Sequence, residues 1–71
     1  MKITYDAHVD AAYIRLKIGT FQVTTSRLTE DVAVNFAPDG SVVGIEVLDA
    51  SKYLLMKHHR PQVELENLQP A

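Results

Sequence analysis

The sequence contains no cysteine and no tryptophan, and it has only three glycines and three prolines in 71 residues. The absence of cysteine excludes disulfides and thiolate metal sites. No apolar run reaches the roughly 18 residues that a membrane helix needs, and the first residues show neither a signal-peptide nor a lipidation pattern. We therefore expect a cytoplasmic protein with no membrane contact.

The residues that are present describe an ordinary globular chain, with 46% hydrophobic residues, 23% charged residues and a formal net charge of -2. This length provides for one domain with one small core. Such a core gives a stability margin of about 3 to 5 kcal/mol unless something else adds to it. Because disulfides are excluded, the size predicts a homo-oligomer or a complex with a protein partner.

Alternation of apolar and polar side chains predicts β-strands in the first two thirds of the chain. The predicted strands are 3–5, 12–18, 21–26, 32–36 and 41–48. The last of these has apolar residues on both faces, which favours a central position in the sheet. Within it, Gly44 indicates the close approach of another group.

The strongest local signal is the turn at Pro38, Asp39 and Gly40. Proline presets φ for the first central position, Asp accepts hydrogen bonds from its own turn, and Gly takes the positive-φ position. Two strands should therefore reverse direction here.

After the strands, good helix formers predict a helix over residues 52–60, with Asp49 or Ser51 accepting its first free amides and Pro61 ending it. Leu54, Leu55 and either His58 or Tyr53 should pack on the sheet or on a partner chain. Residues 62–71 fit either an extended segment or a second short helix. The predicted fold is α+β: a mainly antiparallel β-meander of four to five strands with one C-terminal helix, in a domain spanning 1–60 with a tail at 61–71.

Four groups of residues resemble a known family. They are Tyr5-Asp6 with Asp10-Ala11, Tyr13-Ile14-Arg15-Leu16, Val34-Asn35-Phe36 with Asp39-Gly40, and Val43 to Ser51. Together they are similar to the YuzE-like family of small bacterial proteins of unknown function. The resemblance implies a small α+β domain and suggests an antitoxin-like role beside a toxin-like partner. It supplies no catalytic residues.

Asp6 and Asp10 bracket a short loop that also contains His8. A carboxylate pair of this kind fits acid/base chemistry or a cation site, but carboxylates at the ends of a hairpin loop more often accept loop amides and fix the turn. We therefore assign structural turn and cap roles to Asp6, Asp10, Pro38, Asp39, Gly40, Asp49 and Ser51.

Tyr13 and Arg15 lie two positions apart on one strand face, and an exposed aromatic beside a guanidinium is typical of a protein interface. Cross-strand packing is the alternative. Residues 28–51 also contain five acids and no Lys or Arg, which predicts an acidic face able to meet a basic partner. The predicted partner-binding residues are Tyr13, Arg15, Glu30, Asp31 and Glu46.

The one basic cluster is Lys57-His58-His59-Arg60. It could contact phosphate, but cations are favoured at a helix C-terminus in any case. No metal site, cofactor or nucleic-acid-binding motif is expected. The leading hypothesis is a non-catalytic protein-interaction module, antitoxin-like by resemblance. The alternative is a small-molecule or metal-binding domain around the Asp6–Asp10 loop.

Overall fold

A computed structural model describes residues 1–65, which form a five-stranded antiparallel sheet, one short helix and a small two-stranded sheet. The protein is therefore α+β with little helix, and most of the structure is antiparallel sheet. The elements are β1 (Lys2–Asp6), β2 (Ala11–Arg15), β3 (Thr24–Arg27), β4 (Val32–Phe36), β5 (Val42–Val47), α1 (Ala50–Tyr53), β6 (Met56–Lys57) and β7 (Arg60–Pro61).

The strands of the large sheet are ordered β1-β2-β5-β4-β3. β5 lies at the centre, as its two apolar faces predict. The order corrects the simple meander, because β2 pairs with β5 and the connection from β2 to β3 runs to the opposite edge of the sheet. A strand that is apolar on both faces gains most from two neighbours, and this favours the non-local pairing.

The register separates the sheet into two chemically different faces. One face, called the apolar face, carries Ile3, Tyr5, Ala12, Ile14, Val32, Val34, Ile45 and Val47, with Ser26 at its β3 edge. The opposite face, called the polar face, carries Thr4, Tyr13, Arg15, Thr25, Arg27, Asn35 and Glu46.

The core lies on the apolar face, where α1 packs at the end of the sheet. Ala12, Val47 and Ala50 are buried there, and Tyr5, Ile45 and Leu54 pack against them while partly exposed. Among residues 1–65, no large side chain is completely buried. Much of the apolar face is therefore only half covered by the described part of the chain.

The predicted turn between β4 and β5 is confirmed. The Gly40 amide donates to the carbonyl of Ala37 over 2.9 Å, and Gly40 has a φ of 88°. The Asp39 carboxylate accepts the Ser41 amide over 2.9 Å, so Pro38, Asp39 and Gly40 occupy the turn as expected.

The predicted helix over 52–60 is wrong. α1 ends at Tyr53, and Leu54 already has an extended backbone. Residues 56–61 instead form the β6–β7 hairpin, which the Gln62 amide extends by donating to the Leu55 carbonyl over 2.7 Å. Nine residues of good helix formers are too few to hold a helix without tertiary support, so a hairpin could replace it.

This change relocates several side chains. Leu54 packs on the core as predicted, but Leu55 is 63% exposed. Pro61 belongs to β7 and does not terminate a helix. Residues 62–65 have no regular secondary structure, and the rest of the predicted tail, 66–71, lies outside the described residues. Within 1–65, no helix has the length and hydrophobicity to cross a bilayer.

Candidate functional site

The polar face brings together three of the predicted partner-binding residues. Tyr13 lies opposite Glu46 in the register, and Arg15 lies opposite Gly44. The Tyr13 ring covers Gly44 so closely that a Cβ at Gly44 would overlap the ring and its hydroxyl. The close approach that the sequence indicated at Gly44 is therefore confirmed, and its cause is Tyr13.

A row of hydrogen bonds crosses the polar face from β2 to β3. The Asn35 amide nitrogen donates to the Tyr13 hydroxyl over 3.0 Å. The Thr25 hydroxyl donates in turn to the Asn35 amide oxygen over 2.6 Å. Arg15 lies 5.9 Å from the centre of the Tyr13 ring and donates to the Gly19 carbonyl over 2.8 Å. This network holds Tyr13 and Arg15 in place through contacts within the chain.

The acidic residues of 28–51 do not form one acidic face, which corrects the prediction. Glu46 lies 3.4 Å from Arg27, Asp31 lies 3.4 Å from Lys52, and Asp39 lies 3.5 Å from Lys17. Folding places these three cations beside the acids, although all three come from outside the acidic stretch.

Glu30 and Asp31 lie in the connection between β3 and β4, away from the polar-face cluster. Arg27 donates to the Glu30 carbonyl over 3.1 Å. Asp31 accepts a bond from the Tyr53 hydroxyl over 2.6 Å, and this bond is the main reason why the pKa of Asp31 lies below its ordinary value. Asp31 thus ties α1 to the sheet.

Asp10 has a structural role that the local sequence did not reveal. Its carboxylate accepts the Ser51 hydroxyl over 2.6 Å, the Tyr5 hydroxyl over 2.7 Å and the Ser51 amide over 3.1 Å. Its carbonyl accepts the Ala50 amide over 2.8 Å. The hydrogen bonds from Ser51 and Tyr5 lower the pKa of Asp10. The bond between Tyr5 and Asp10 also raises the pKa of Tyr5.

Asp10 thereby caps the start of α1 from 41 positions away in the sequence. Asp49, the expected cap, has a left-handed backbone with a φ of 50° and makes no side-chain cap bond. Ser51 donates its hydroxyl to Asp10, which is the reverse of the acceptor role that was predicted. A contact of such long range leaves no signature in local residue spacing.

Asp6 and Asp10 are engaged in different tasks. The Asp6 carboxylate accepts the His8 amide over 2.9 Å and so fixes the loop, while Asp10 holds α1. In the described part of the chain, no group of three or more His, Asp or Glu side chains is placed to hold a metal ion.

Two adjoining cavities lie between β1 and the β6–β7 hairpin, and both are lined by Tyr5, Ala7 and His59. The outer cavity has a volume of about 470 Å³ and is completed by Ile3, Arg60, Pro61 and Val63. The inner cavity, of about 520 Å³, also reaches Asp10, Ser51 and Met56. No residue pattern indicated this groove, because it depends on the unpredicted hairpin.

Together, these features define a small α+β domain with a pre-organised polar face and a half-covered apolar face. The chain belongs to the family described as "Protein of unknown function (DUF2283)", whose model matches residues 2–51. The match covers the five-stranded sheet and the start of α1, and the β6–β7 hairpin lies beyond it. Neither the curated proteins nor the solved structures include a match to this chain.

Proposed function

We propose that the protein is a non-catalytic protein-interaction module that associates with a second copy of itself through the apolar face. In this proposal it is a YuzE-like bacterial protein of the cytoplasm, and its polar face binds a protein partner in an antitoxin-like manner. The observation that carries the proposal is the half-covered apolar face of a domain with no large side chain completely buried among residues 1–65.

The open part of this face lies over β2, β4 and β3. Ile14 and Val34 are half-buried, while Leu16 and Leu28, which directly follow β2 and β3, are 45% and 63% exposed. A small domain with so little buried apolar volume gains stability when such a surface is covered.

A second copy fits this surface better than a partner of different chemistry. The strand residues of the apolar face carry no charge, so they provide no electrostatic feature for a different protein to recognise. A charge-free apolar face is complementary to itself about a two-fold axis. Two such sheets can pack face to face about 10 Å apart, as in β-sandwiches.

The polar face would then point outward in both copies. Tyr13 and Arg15 are residue types enriched among interface hot spots, and the Asn35 bond already fixes the tyrosine. Glu46 and Arg27 present charges of both signs beside them. This arrangement supports recognition of a protein surface.

The association is tested with two neighbouring residues on the edge strand β3. Ser26 points to the apolar face and Thr25 to the polar face, and both are exposed. We expect Ser26→Arg to convert a dimer to a monomer in sedimentation experiments, because it places a charge in the contact. Thr25→Arg should remain dimeric. A monomeric wild-type protein at micromolar concentration would refute the association.

The antitoxin-like role requires a separate test. The product of an adjacent gene is expressed alone and together with this chain, and growth of the host is measured. We expect the wild-type chain to restore growth and a Tyr13→Ala/Arg15→Ala variant to restore it poorly. Thr4→Ala, on the same face at the β1 edge, is the control. Equal rescue by all three proteins would remove the polar face from this role.

The alternative, a small-molecule or metal site at the Asp6–Asp10 loop, is favoured by the inner cavity beside Asp10. Against it, the Asp10 carboxylate already accepts bonds from Tyr5 and Ser51. Thermal unfolding with a panel of divalent metal ions tests this site, because a ligand at a hundredfold its Kd stabilises a fold by about 2.7 kcal/mol. No shift with any ion would eliminate a metal site there.

A further inference from the structure

The basic cluster Lys57-His58-His59-Arg60 lies at the tip of the β6–β7 hairpin, and not at the end of the helix predicted from the sequence. A helix C-terminus would have favoured these cations. A β-hairpin has no helix dipole, so this explanation does not apply to the cluster. Lys57 and Arg60 instead lie directly opposite each other across the two strands.

Local energetics disfavour this tip as a purely structural turn. Like charges placed directly opposite in a sheet repel each other. His58 and His59 both have a left-handed backbone, with φ values of 52° and 62°. Two-residue hairpin turns of this kind most often contain Asn-Gly, and among other side chains His is one of those that adopt positive φ more readily.

The cations of the tip also lack carboxylate partners within the described chain. Lys17, Arg27 and Lys52 each have an Asp or Glu within 4.0 Å, whereas no salt bridge is found in residues 1–65 for Lys57 or Arg60, nor for Lys2 and Arg15 on the polar face. Two cations placed directly opposite each other break a local rule of sheet stability, and proteins break such rules mainly at functional sites.

The adjoining groove shows what kind of ligand would fit. His59 and Arg60 form the basic part of the outer cavity, and Ile3, Tyr5, Pro61 and Val63 supply an apolar wall that includes one aromatic ring. A ligand for this site would place a negatively charged group at the tip and a flat apolar group in the groove. The cavity of about 470 Å³ is within the usual range for small-molecule sites.

We propose that the hairpin tip and the outer cavity form a binding site for a phosphate-bearing ligand of nucleotide size. The phosphates contact Arg60, Lys57 and the two histidines, and the base lies against Tyr5 and Pro61. Two neighbouring cations, Lys57 and Arg60, match a multiply charged phosphate better than a single carboxylate. A compact ligand suits the chain better than a long nucleic acid, because acidic residues outnumber basic ones in the whole sequence, nine to seven.

The site is independent of the proposed association. The groove borders β1, and the open apolar surface extends toward β3, which forms the opposite edge of the sheet. Association of two copies over β2, β4 and β3 does not require β1 and would leave the groove accessible, so either proposal can fail without the other.

Calorimetric titration of the full chain at one fixed salt concentration separates the contributions of phosphate and base. The probes are ADP, pyrophosphate, adenosine, a six-nucleotide RNA and a hexaglutamate peptide. We expect ADP to bind more tightly than pyrophosphate and adenosine to bind weakest. Binding of the RNA without binding of ADP would overturn a site of nucleotide size and indicate a nucleic-acid surface instead. No binding of any phosphate probe, or equal binding of the peptide, would overturn the proposal.

Variants locate the binding at the tip. Arg60→Gln should weaken ADP binding by about tenfold, because it removes a charge-assisted hydrogen-bond donor. Lys2→Gln removes the same charge from the polar face of β1 and should leave binding unchanged. Equal losses in the two variants would indicate general electrostatic attraction and would overturn the site.

A second variant protects the test against misfolding. His58→Asn/His59→Gly installs the preferred turn pair, so the hairpin should be at least as stable as in the wild type. We nevertheless expect weaker ADP binding, since both imidazoles are gone. Unchanged ADP affinity in this variant would show that the histidines serve only the turn.

Discussion

The two faces of the five-stranded sheet differ in how fully their side chains find contacts within the described chain. On the polar face, Tyr13, Asn35 and Thr25 complete one another's hydrogen bonds, and Arg27 lies beside Glu46. On the apolar face, α1 covers only one end, and Ile14 and Val34 are left half-buried. Within residues 1–65 the polar face is thus satisfied by its own hydrogen bonds and ion pair, whereas the apolar face is left partly uncovered.

The largest loss of stability should come from a substitution at Gly44, where the polar face is most tightly packed. Gly44→Ala places a methyl group where the Tyr13 ring lies, so we expect a loss of about 3 kcal/mol in the free energy of unfolding, the upper part of the range for overpacking. Urea unfolding measures it. The double variant Gly44→Ala/Tyr13→Ala should recover part of the loss, and a neutral single variant would show that Tyr13 can move away freely.

A neighbouring pair on β5 compares the faces directly. Val47 is 5% exposed on the apolar face, and Val47→Thr should cost about 1 to 2 kcal/mol because it buries a hydroxyl. Glu46→Gln on the polar face should change stability by about 1 kcal/mol at most, as expected for an exposed ion pair. If Glu46→Gln proved the more damaging change in urea unfolding, the comparison of the faces would be reversed.

A smaller effect is expected from the hydrogen-bond row. Asn35→Ala removes the group that joins Tyr13 to Thr25, and we expect a cost of about 1 kcal/mol, typical of one part-exposed hydrogen-bonding side chain. The proposed dimer should persist, because Asn35 lies on the polar face. Dissociation of this variant in sedimentation experiments would contradict the assignment of the apolar face to association.

The smallest effect is expected in how the Tm changes when the pH is lowered. Hydrogen bonds from the Ser41 hydroxyl and amide lower the pKa of Asp39 to about 2, below the ordinary value of 3.8. A lowered pKa in the folded state gives stability above pH 3.8 that disappears as the pH falls toward 2. Ser41→Ala should therefore reduce the decrease in Tm between pH 5 and pH 2, and Ser26→Ala should not.

Local sequence predicted the features that depend on neighbouring residues. The Pro38-Asp39-Gly40 turn follows from the φ preferences and hydrogen bonds of those residues. The central position of β5 follows from its apolar residues on both faces. The close approach at Gly44 follows from the absence of a side chain at that position of the strand. The period-two patterns also distinguished the apolar from the polar side chains of β2 and β4.

Other features depended on contacts between distant residues. The predicted helix over 52–60 was wrong because helix formers in so short a segment compete with hairpin pairing. The predicted acidic face was wrong because folding brings Lys17, Arg27 and Lys52 beside the acids. The cap that Asp10 provides for α1 joins residues 41 positions apart, and residue spacing carries no information about such a contact.

The sequence by itself determined a single small antiparallel domain with a sharp turn at Pro38-Asp39-Gly40, because periodicity and backbone preferences are local properties. Only the tertiary structure decided the β2–β5 pairing, the side-chain network around Tyr13 and the basic hairpin beside the groove. Each of these arises where the chain returns to a distant part of itself, and the energy of such a return depends on the whole packed arrangement.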